Sequence, residues 1–136
     1  MRVLPRIAAA LVALLALAAG GCDEETPASG ETVTVPSGRQ VQVLDVITNA
    51  PGPAGATARF RFVLPGLAQD DDAAADMEAL CNSYALPRVD QMVPAPQQII
   101  IVLADRAVPF GEPAPEAVQF FEAYSVDGGA CIWELL

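Results

Sequence analysis

The sequence predicts a small α+β domain, and three observations carry that prediction. Two segments, 41–47 and 58–64, alternate apolar and polar residues, as half-buried strands do. A later alanine-rich segment repeats apolar residues at helical spacing, and an uninterrupted apolar run and a hairpin signal follow it. We therefore expect an antiparallel sheet of about five strands in the order ββαβββ, with one main helix packed on one face.

The first two strands are predicted on either side of a loop rich in proline and glycine. In the second strand, Phe60 and Phe62 are expected to enter the core while Arg59 and Arg61 face water, because successive side chains of a strand point to opposite faces. Two arginines on one face could hold an anion. In so acidic a chain, surface ion pairs are the favoured interpretation.

The main helix is predicted to begin after the acidic run 70–72, whose charge complements the positive end of a helix dipole. A calcium loop is disfavoured, because it requires alternating acids, a central glycine and a distal glutamate. Pro87 is expected to end the helix near Ala85, since its ring disfavours helical geometry at the residue before it. The apolar stripe of this helix consists of Met77, Leu80, Cys81 and Tyr84.

Three further strands are predicted in the C-terminal half. The run 98–105 is apolar almost throughout, which is typical of a central strand covered on both faces. A proline-rich loop, 105–115, separates it from two strands, 120–126 and 130–135, which flank the hairpin signal Asp127-Gly128-Gly129. A two-residue turn, either Asp127-Gly128 or Gly128-Gly129, puts one set of side chains on a common face: Phe120, Tyr124, Val126, Cys131, Trp133 and Leu135.

The three cysteines divide into one plus two. Cys22 ends an apolar leader as Leu17-Ala18-Ala19-Gly20-Gly21-Cys22, which resembles a bacterial lipobox and favours lipidation; cleavage after Ala18 is the alternative. Cys81 lies on the helix stripe and Cys131 on the inward face of the last strand, so we expect them to form a helix-to-sheet disulfide. A redox or nucleophilic thiol is disfavoured, because the chain has no CxxC motif and no histidine.

The chain is predicted to contain one folded domain behind an export signal. Residues 1–21 form a signal peptide, whose apolar run of 13 residues is shorter than the roughly 20 that a transmembrane helix needs. Residues 22–34 form an acidic flexible tether, and residues 35–136 form a single α+β domain. We expect an exported, periplasmic protein that contacts the membrane only through a lipid on Cys22.

Composition excludes several classes of function. After removal of the leader, five arginines oppose seventeen acidic residues, a formal charge of −12, which argues against nucleic acid as a partner. The absence of histidine excludes Ser-His-Asp catalysis and imidazole metal sites, and the absence of lysine excludes a Schiff base and a P-loop. We expect no cofactor and no metal, and we assign no catalytic residue.

Several blocks of the sequence carry a resemblance. They are Val35-Pro36-Ser37-Gly38, Arg59-Phe60-Arg61-Phe62, Asp76-Met77 with Leu80-Cys81, Ala85-Leu86-Pro87, Asp105-Arg106-Ala107-Val108-Pro109-Phe110-Gly111, Phe120-Phe121-Glu122-Ala123-Tyr124 and Cys131-Ile132-Trp133-Glu134. In order and spacing, the chain resembles a family of small exported alphaproteobacterial proteins classed only as a domain of unknown function. The resemblance covers residues 35–136, supports these domain limits and implies no catalytic residue.

The favoured function is that of a non-catalytic module that docks on a cell-envelope protein. The candidate contact residues are Arg106 and Phe110, because prolines stiffen their loop and because arginine and aromatic residues dominate binding hot spots. The structural alternative is that Phe110 plugs the end of the sheet while Arg106 pairs with Asp105 or Glu122.

Two other functions stay open. A small molecule could bind between the helix and the sheet. A carboxylate-based hydrolase could use Glu122 as its acid, because the hairpin register puts Glu122 on the same face as Tyr124 and Trp133. Such a hydrolase would need a second carboxylate across a cleft.

Overall fold

A computed structural model describes residues 30–48 and 56–136. Within these residues, six strands form one sheet in which each strand lies beside its neighbour in the chain. They are β1 (Thr32–Thr34), β2 (Gln40–Ile47), β3 (Thr57–Val63), β4 (Gln98–Ala104), β5 (Gln119–Asp127) and β6 (Ala130–Glu134). The predicted signal peptide and Cys22 lie outside the described residues.

The α+β class is confirmed, but the number and order of the strands differ from the prediction. β1 pairs antiparallel with β2 and is formed by the last residues of the segment assigned to the tether. The order of elements is therefore βββαβββ, with six strands and not five. A strand of three residues is too short for its alternation to be recognised in a sequence.

The sheet is mixed and not antiparallel as predicted. β3 and β4 run parallel, whereas the other four neighbouring pairs run antiparallel. Parallel neighbours cannot be joined by a tight turn and need a crossover connection, which the helical segment supplies here. The sheet differs from the predicted antiparallel sheet because β3 and β4, the strands before and after the helical segment, pair with each other.

The crossover contains three helical pieces in succession: α1 (Ala74–Leu80), a π turn (Cys81–Ala85) and α2 (Leu86–Val89). The prediction that Pro87 ends the helix near Ala85 is wrong. In the π turn the Leu86 N–H donates to the Cys81 carbonyl, and Pro87 falls in the first turn of α2. At that position a backbone N–H has no partner within the new helical turn, so its absence in proline is tolerated.

The acidic run lies before α1, but its carboxylates do not occupy the N-cap position. Ala73 is the N-cap, and α1 begins at Ala74. Asp72 accepts a hydrogen bond from the Ala74 N–H at 3.2 Å, and Asp71 accepts one from the Ala68 N–H at 2.8 Å. The carboxylates of the acidic run therefore accept hydrogen bonds from backbone N–H groups both before the helix and at its first residue.

The helical segment covers one side of the sheet, which we call the helix face. Met77 and Leu80 of α1 are buried against it, and Cys81 joins Cys131 in the predicted disulfide, with 6.2 Å between their Cα atoms. The sheet residues of this core are Val41, Val43, Ala58, Phe60, Phe62, Ile99, Ile101, Leu103, Tyr124 and Cys131. The disulfide thus links the helical crossover to the last strand.

β5 and β6 form the predicted hairpin. Its two-residue turn is Gly128-Gly129, one of the two alternatives, and both residues have positive φ, 60° and 75°. Glycine adopts this conformation without steric penalty, and two positive φ angles match the twist of a hairpin. As predicted, Tyr124 and Trp133 share a face with Cys131, whereas Leu135 lies beyond the end of β6 and is exposed.

Candidate functional site

The other side of the sheet, which we call the loop face, is partly covered by the loop 105–118. Ile100 and Val102 of β4 form a small apolar cluster there with Ala123 of β5, and Val108 of the loop is buried. β4 is therefore covered on both faces, as predicted. Its cover on the loop face is irregular chain and not a second helix.

The base of the loop is closed by Asp105. Its backbone N–H donates to the Val118 carbonyl at 3.0 Å, and its carboxylate accepts from the Val118 N–H at 3.1 Å. Arg106 forms an ion pair with Asp105 at 2.9 Å. The Arg106 guanidinium, together with the Val118 N–H, holds the pKa of Asp105 below its usual value. Arg106 therefore pairs with Asp105, which is one of the two pairings that the structural alternative to a contact residue predicted.

Arg61 is buried, whereas the sequence predicted that it faces water. Its Nε and Nη2 donate to the two carboxylate oxygens of Asp45 at 2.7 and 2.6 Å, and its Nη1 donates to the Val108 carbonyl at 2.7 Å. A β-bulge between Val43 and Asp45 brings the Asp45 carboxylate to the loop face. Arg61 therefore forms the favoured ion pair and also fastens the loop.

Arg59 differs from Arg61, its neighbour on the loop face. It forms no ion pair within the described part of the chain. Its guanidinium carbon lies 5.4 Å from the centroid of the Phe110 ring, and that of Arg61 lies 5.6 Å from the same centroid. Phe110 is 47% exposed and Phe121 is 51% exposed. Phe110 therefore lies over two guanidinium groups with about half of its surface in solvent.

A cavity of about 220 Å³ lies between the loop and the sheet. Arg59 and Arg61 line it together with Phe110 and Phe121, and Glu112 stands among the loop residues of its wall. A guanidinium group beside aromatic rings can bind a carboxylate and an apolar group at the same time. We call the exposed surface around Arg59, Phe110 and Phe121 the loop-face site.

A second cavity, of about 230 Å³, lies on the helix face, where α1 passes the last two strands. We call it the Trp133 cavity; it is lined by Ala74, Glu78, Glu122, Tyr124 and Trp133. The Trp133 Nε1–H donates a hydrogen bond to Glu122 Oε2. The predicted placement of Glu122 beside Tyr124 and Trp133 is confirmed, and Glu78 supplies a second carboxylate in the same cavity.

Tyr124 forms the inner wall of the Trp133 cavity. It is 1% exposed, and its hydroxyl has no hydrogen-bond partner in the described ranges. Burial raises the pKa of this hydroxyl, and Glu122 and Glu78 raise it further, because a phenolate beside two carboxylates is disfavoured. The hydroxyl therefore lies within the field of both carboxylates that line the cavity.

Asp76 is a structural residue that the sequence analysis missed. It is buried, and its carboxylate accepts hydrogen bonds from the Ser37 N–H at 2.9 Å and the Ser37 hydroxyl at 2.6 Å. Arg39 Nη2 lies 3.8 Å from it. The sequence offered one indication that Asp76 is buried, because it stands directly before Met77 of the apolar helix stripe. These contacts join α1 to the turn between β1 and β2.

The predicted lipid anchor, Cys22, lies outside the described residues, and its lipidation stays a prediction. None of the helices described in residues 30–48 and 56–136 has the length and apolar composition that a membrane-spanning helix requires. In the same ranges, no three side chains of the His, Cys, Asp or Glu type are grouped so that they could hold a metal ion.

Comparison with known proteins identifies a family without a known activity. The model of a family of unknown function (DUF6497) matches residues 13–136. No curated protein and no solved structure matches the chain. The family match confirms the resemblance to a domain of unknown function and extends it from residue 35 back into the apolar leader.

Proposed function

We propose that this chain, which belongs to the DUF6497 family of unknown function, is an exported, non-catalytic interaction module that binds a cell-envelope protein through the loop-face site. One observation carries the proposal: Arg59 has no ion pair among the described residues, lies against the Phe110 ring and lines one cavity with Phe121, and both rings are about half exposed. Arginine and aromatic side chains contribute most to binding hot spots in protein interfaces.

The loop that carries Phe110 is fixed to the sheet before any partner binds. Val108 accepts a hydrogen bond from Arg61, and Asp105 is joined to Val118 at the base of the loop. Three prolines, at positions 109, 113 and 115, further restrict its backbone. A surface that is already ordered loses little conformational entropy on binding, which supports a role in recognition.

The charge of Arg59 defines the chemistry of the partner. Arg61 and Arg106 form ion pairs with Asp45 and Asp105, so Arg59 is the guanidinium group of the loop face that forms no ion pair within the described residues. The loop-face site therefore suits a protein that presents a carboxylate next to an apolar side chain.

Export and anchoring belong to the same proposal. A disulfide between Cys81 and Cys131 suits an oxidising compartment outside the cytoplasm, where such bonds persist. A lipid on Cys22 would hold the domain at the membrane surface, within reach of envelope proteins.

The test compares the proteins captured from solubilised envelopes by the wild type and by three variants. Phe110→Ala and Arg59→Gln change the loop-face site, and Ile132→Ala is the matched control, because Ile132 is 47% exposed on the same side of the sheet. We expect a partner, quantified by mass spectrometry, to fall at least tenfold with the first two variants and to be retained by the third.

Thermal unfolding completes the test, because a lost partner must be distinguished from a damaged fold. A cation–π contact at an exposed site contributes about 0.5–1 kcal/mol, so Phe110→Ala should lower the melting temperature by only a few degrees. The proposal would be overturned if the wild type and both site variants captured equal amounts of the partner. It would also be overturned if all three variants lost the partner equally. A large fall in melting temperature with unchanged capture would assign Phe110 to stability alone.

A further inference from the structure

We infer that the Trp133 cavity is a binding site for an alkylammonium or guanidinium group. The cavity lies on the helix face, on the opposite side of the sheet from the loop-face site, so the inference does not depend on the proposed function. Its polar groups, its aromatic wall and the hydroxyl of an almost fully buried tyrosine each point to the same ligand chemistry.

The polar groups of the cavity are mainly hydrogen-bond acceptors. Glu78 and Glu122 contribute carboxylates, and the Trp133 Nε1–H, which could have served a ligand as a donor, is already bonded to Glu122 Oε2. A ligand that fills this site must therefore bring donors, and two negative charges favour donors that carry a positive charge. A neutral sugar also brings hydroxyl donors, but it carries no positive charge to offset the two carboxylates.

Trp133 supplies the aromatic surface. It is 55% exposed although it is a large aromatic residue, and it lines the same cavity as Glu78 of α1. A cation near the face of an indole ring is stabilised by the ring quadrupole, and tryptophan is the most effective side chain for this contact. An alkyl chain attached to the cation would lie on the apolar part of the same wall.

The hydroxyl of Tyr124 completes the arrangement. Its side chain is almost fully buried, yet the hydroxyl is bonded to no described residue and lies within the field of Glu78 and Glu122. Tyr124 lines the cavity, so a hydroxyl without a partner among the described residues can accept a hydrogen bond from a ligand there. An ammonium N–H can donate to this oxygen.

The helix terminus beside the cavity does not oppose a cation. Ala74 is the first residue of α1, and the positive end of a helix dipole would repel positive charge. Asp72 accepts a hydrogen bond from the Ala74 N–H, so a carboxylate offsets the terminus locally. The whole chain carries a net charge of −10, which raises the local concentration of cations around it.

Trp133 also makes the site measurable. It is the one tryptophan among the 136 residues, so its indole N–H gives a single signal in a ¹H–¹⁵N spectrum and its fluorescence reports on the cavity alone. The probes are n-butylamine and methylguanidine, and n-butanol is the neutral control of the same length as the amine. We expect the two cations to shift the indole signal saturably and n-butanol to leave it nearly unchanged.

Two variants test which groups hold the cation. Glu78→Gln removes one carboxylate from an exposed helix position, and Tyr124→Phe removes the hydroxyl while it keeps the ring. Loss of a hydrogen bond to a charged group should weaken butylamine binding about tenfold or more with Glu78→Gln, and less with Tyr124→Phe. Near-UV circular dichroism and thermal unfolding establish that both variants are folded.

The matched control is Glu134→Gln. Glu134 follows Trp133 in the chain but pairs with Ala123 and lies on the loop face, so its removal changes the net charge without changing the cavity. Binding should be nearly unchanged in this variant. Equal weakening by Glu78→Gln and Glu134→Gln would show only a general effect of charge and would overturn the inference.

Two natural sources share this chemistry, and a second pair of probes separates them. Spermidine represents a free amine, and Nα-acetyl-lysine methylamide represents a lysine side chain of another protein. Tighter binding of either one supports the site and identifies its source. Any of three results would overturn the inference. They are a response to n-butanol equal to the response to butylamine, saturable binding of glucose without binding of the amines, and the absence of a saturable response to any cation.

Discussion

The two faces of the sheet are covered in different ways. On the helix face, α1, the π turn and α2 bury a continuous apolar core, and the bond between Cys81 and Cys131 fixes the helical segment to β6. On the loop face, the loop 105–118 buries Val108 but leaves Phe110 and Phe121 about half exposed. The first cover contributes most of the apolar burial, and the second leaves two aromatic rings about half exposed beside a cavity that Arg59 lines.

The difference has a physical origin in the backbone. A helix satisfies its own N–H and C=O groups, so it can present a wholly apolar stripe to a sheet. An irregular loop must find partners for its polar groups, and here Arg61 and Asp105 provide them for Val108 and Val118. Polar contacts hold such a loop at particular points, and cavities lined by charged and aromatic groups stay open between them.

The largest effect is expected from removal of the disulfide on the helix face. The bond joins residues 50 positions apart, and the chain-entropy relation gives a contribution of about 4 kcal/mol to the free energy of unfolding. The double variant Cys81→Ala, Cys131→Ala should lose about this amount in urea unfolding. If the loss is below about 1 kcal/mol, the disulfide is not what distinguishes the two faces.

A thiol assay on the Cys22→Ala protein provides the control. The unfolded, unreduced protein should react with no thiol reagent, and the further change Cys81→Ala should expose one thiol at Cys131. Two reactive thiols in the unreduced Cys22→Ala protein would contradict the bond and restore a redox role for the pair.

A smaller effect is expected from Arg61→Leu on the loop face. This change leaves the Val108 carbonyl and Asp45 without their charged donor, and loss of hydrogen bonds to a charged group costs about 1.5–3 kcal/mol. Hydrogen exchange should accelerate in the loop 105–118 beyond the change in global stability, while helix-face amides follow global stability alone.

Arg106→Leu is the matched control for Arg61. Its ion pair with Asp105 lies at the surface, with the Arg106 side chain 50% exposed, and exposed pairs contribute about 0–1 kcal/mol. If Arg106→Leu opens the loop as much as Arg61→Leu does, then the buried arginine is not the main fastening of the loop face.

The smallest changes in stability are expected from acid. They involve one carboxylate in the segment before α1 and one at the base of the loop 105–118. The Ala68 N–H and Arg39 hold the pKa of Asp71 below its usual value, and Arg106 does the same for Asp105. Since the unfolded chain binds these protons at a higher pH, the stabilisation is present above about pH 4 and is lost as pH falls through the lowered pKa values.

Urea midpoints at pH 7 and pH 3 measure this effect. Asp71→Asn and Asp105→Asn should each lower stability at pH 7 and reduce the difference between the two pH values. Asp70→Asn is the control, because Asp70 is exposed beside Asp71 and its carboxylate has no hydrogen bond within the described residues. An unchanged pH difference in both site variants would show that neither carboxylate contributes to acid sensitivity.

Local patterns were sufficient for much of the helix face. The spacing of Met77, Leu80 and Cys81 predicted the buried stripe, and the hairpin register placed Cys131 and Trp133 on the same face as Tyr124. These patterns are reliable because side-chain direction follows from the period of a helix or a strand. The disulfide followed from the inward direction of both cysteines.

The loop face could not be predicted in the same way. The alternation of Arg59 and Arg61 predicted their common face, but nothing local distinguished the arginine that is buried against Asp45 from the one that lies on Phe110. The β-bulge near Val43 changes the side to which Asp45 points, and a bulge depends on the pairing of two distant segments. The Trp133 cavity likewise depends on α1 and β6 meeting.

The α+β class, the buried central strand, the glycine hairpin and the cysteine pair could be predicted from the order of the residues, because each depends on side-chain periodicity or on the conformational freedom of glycine. Three features became visible only in the folded chain: β3 and β4 run parallel, the helical segment continues through Pro87, and Glu78 lines the same cavity as Glu122 and Trp133. These features arise from contacts between residues far apart in the chain, whose free energies no local pattern contains.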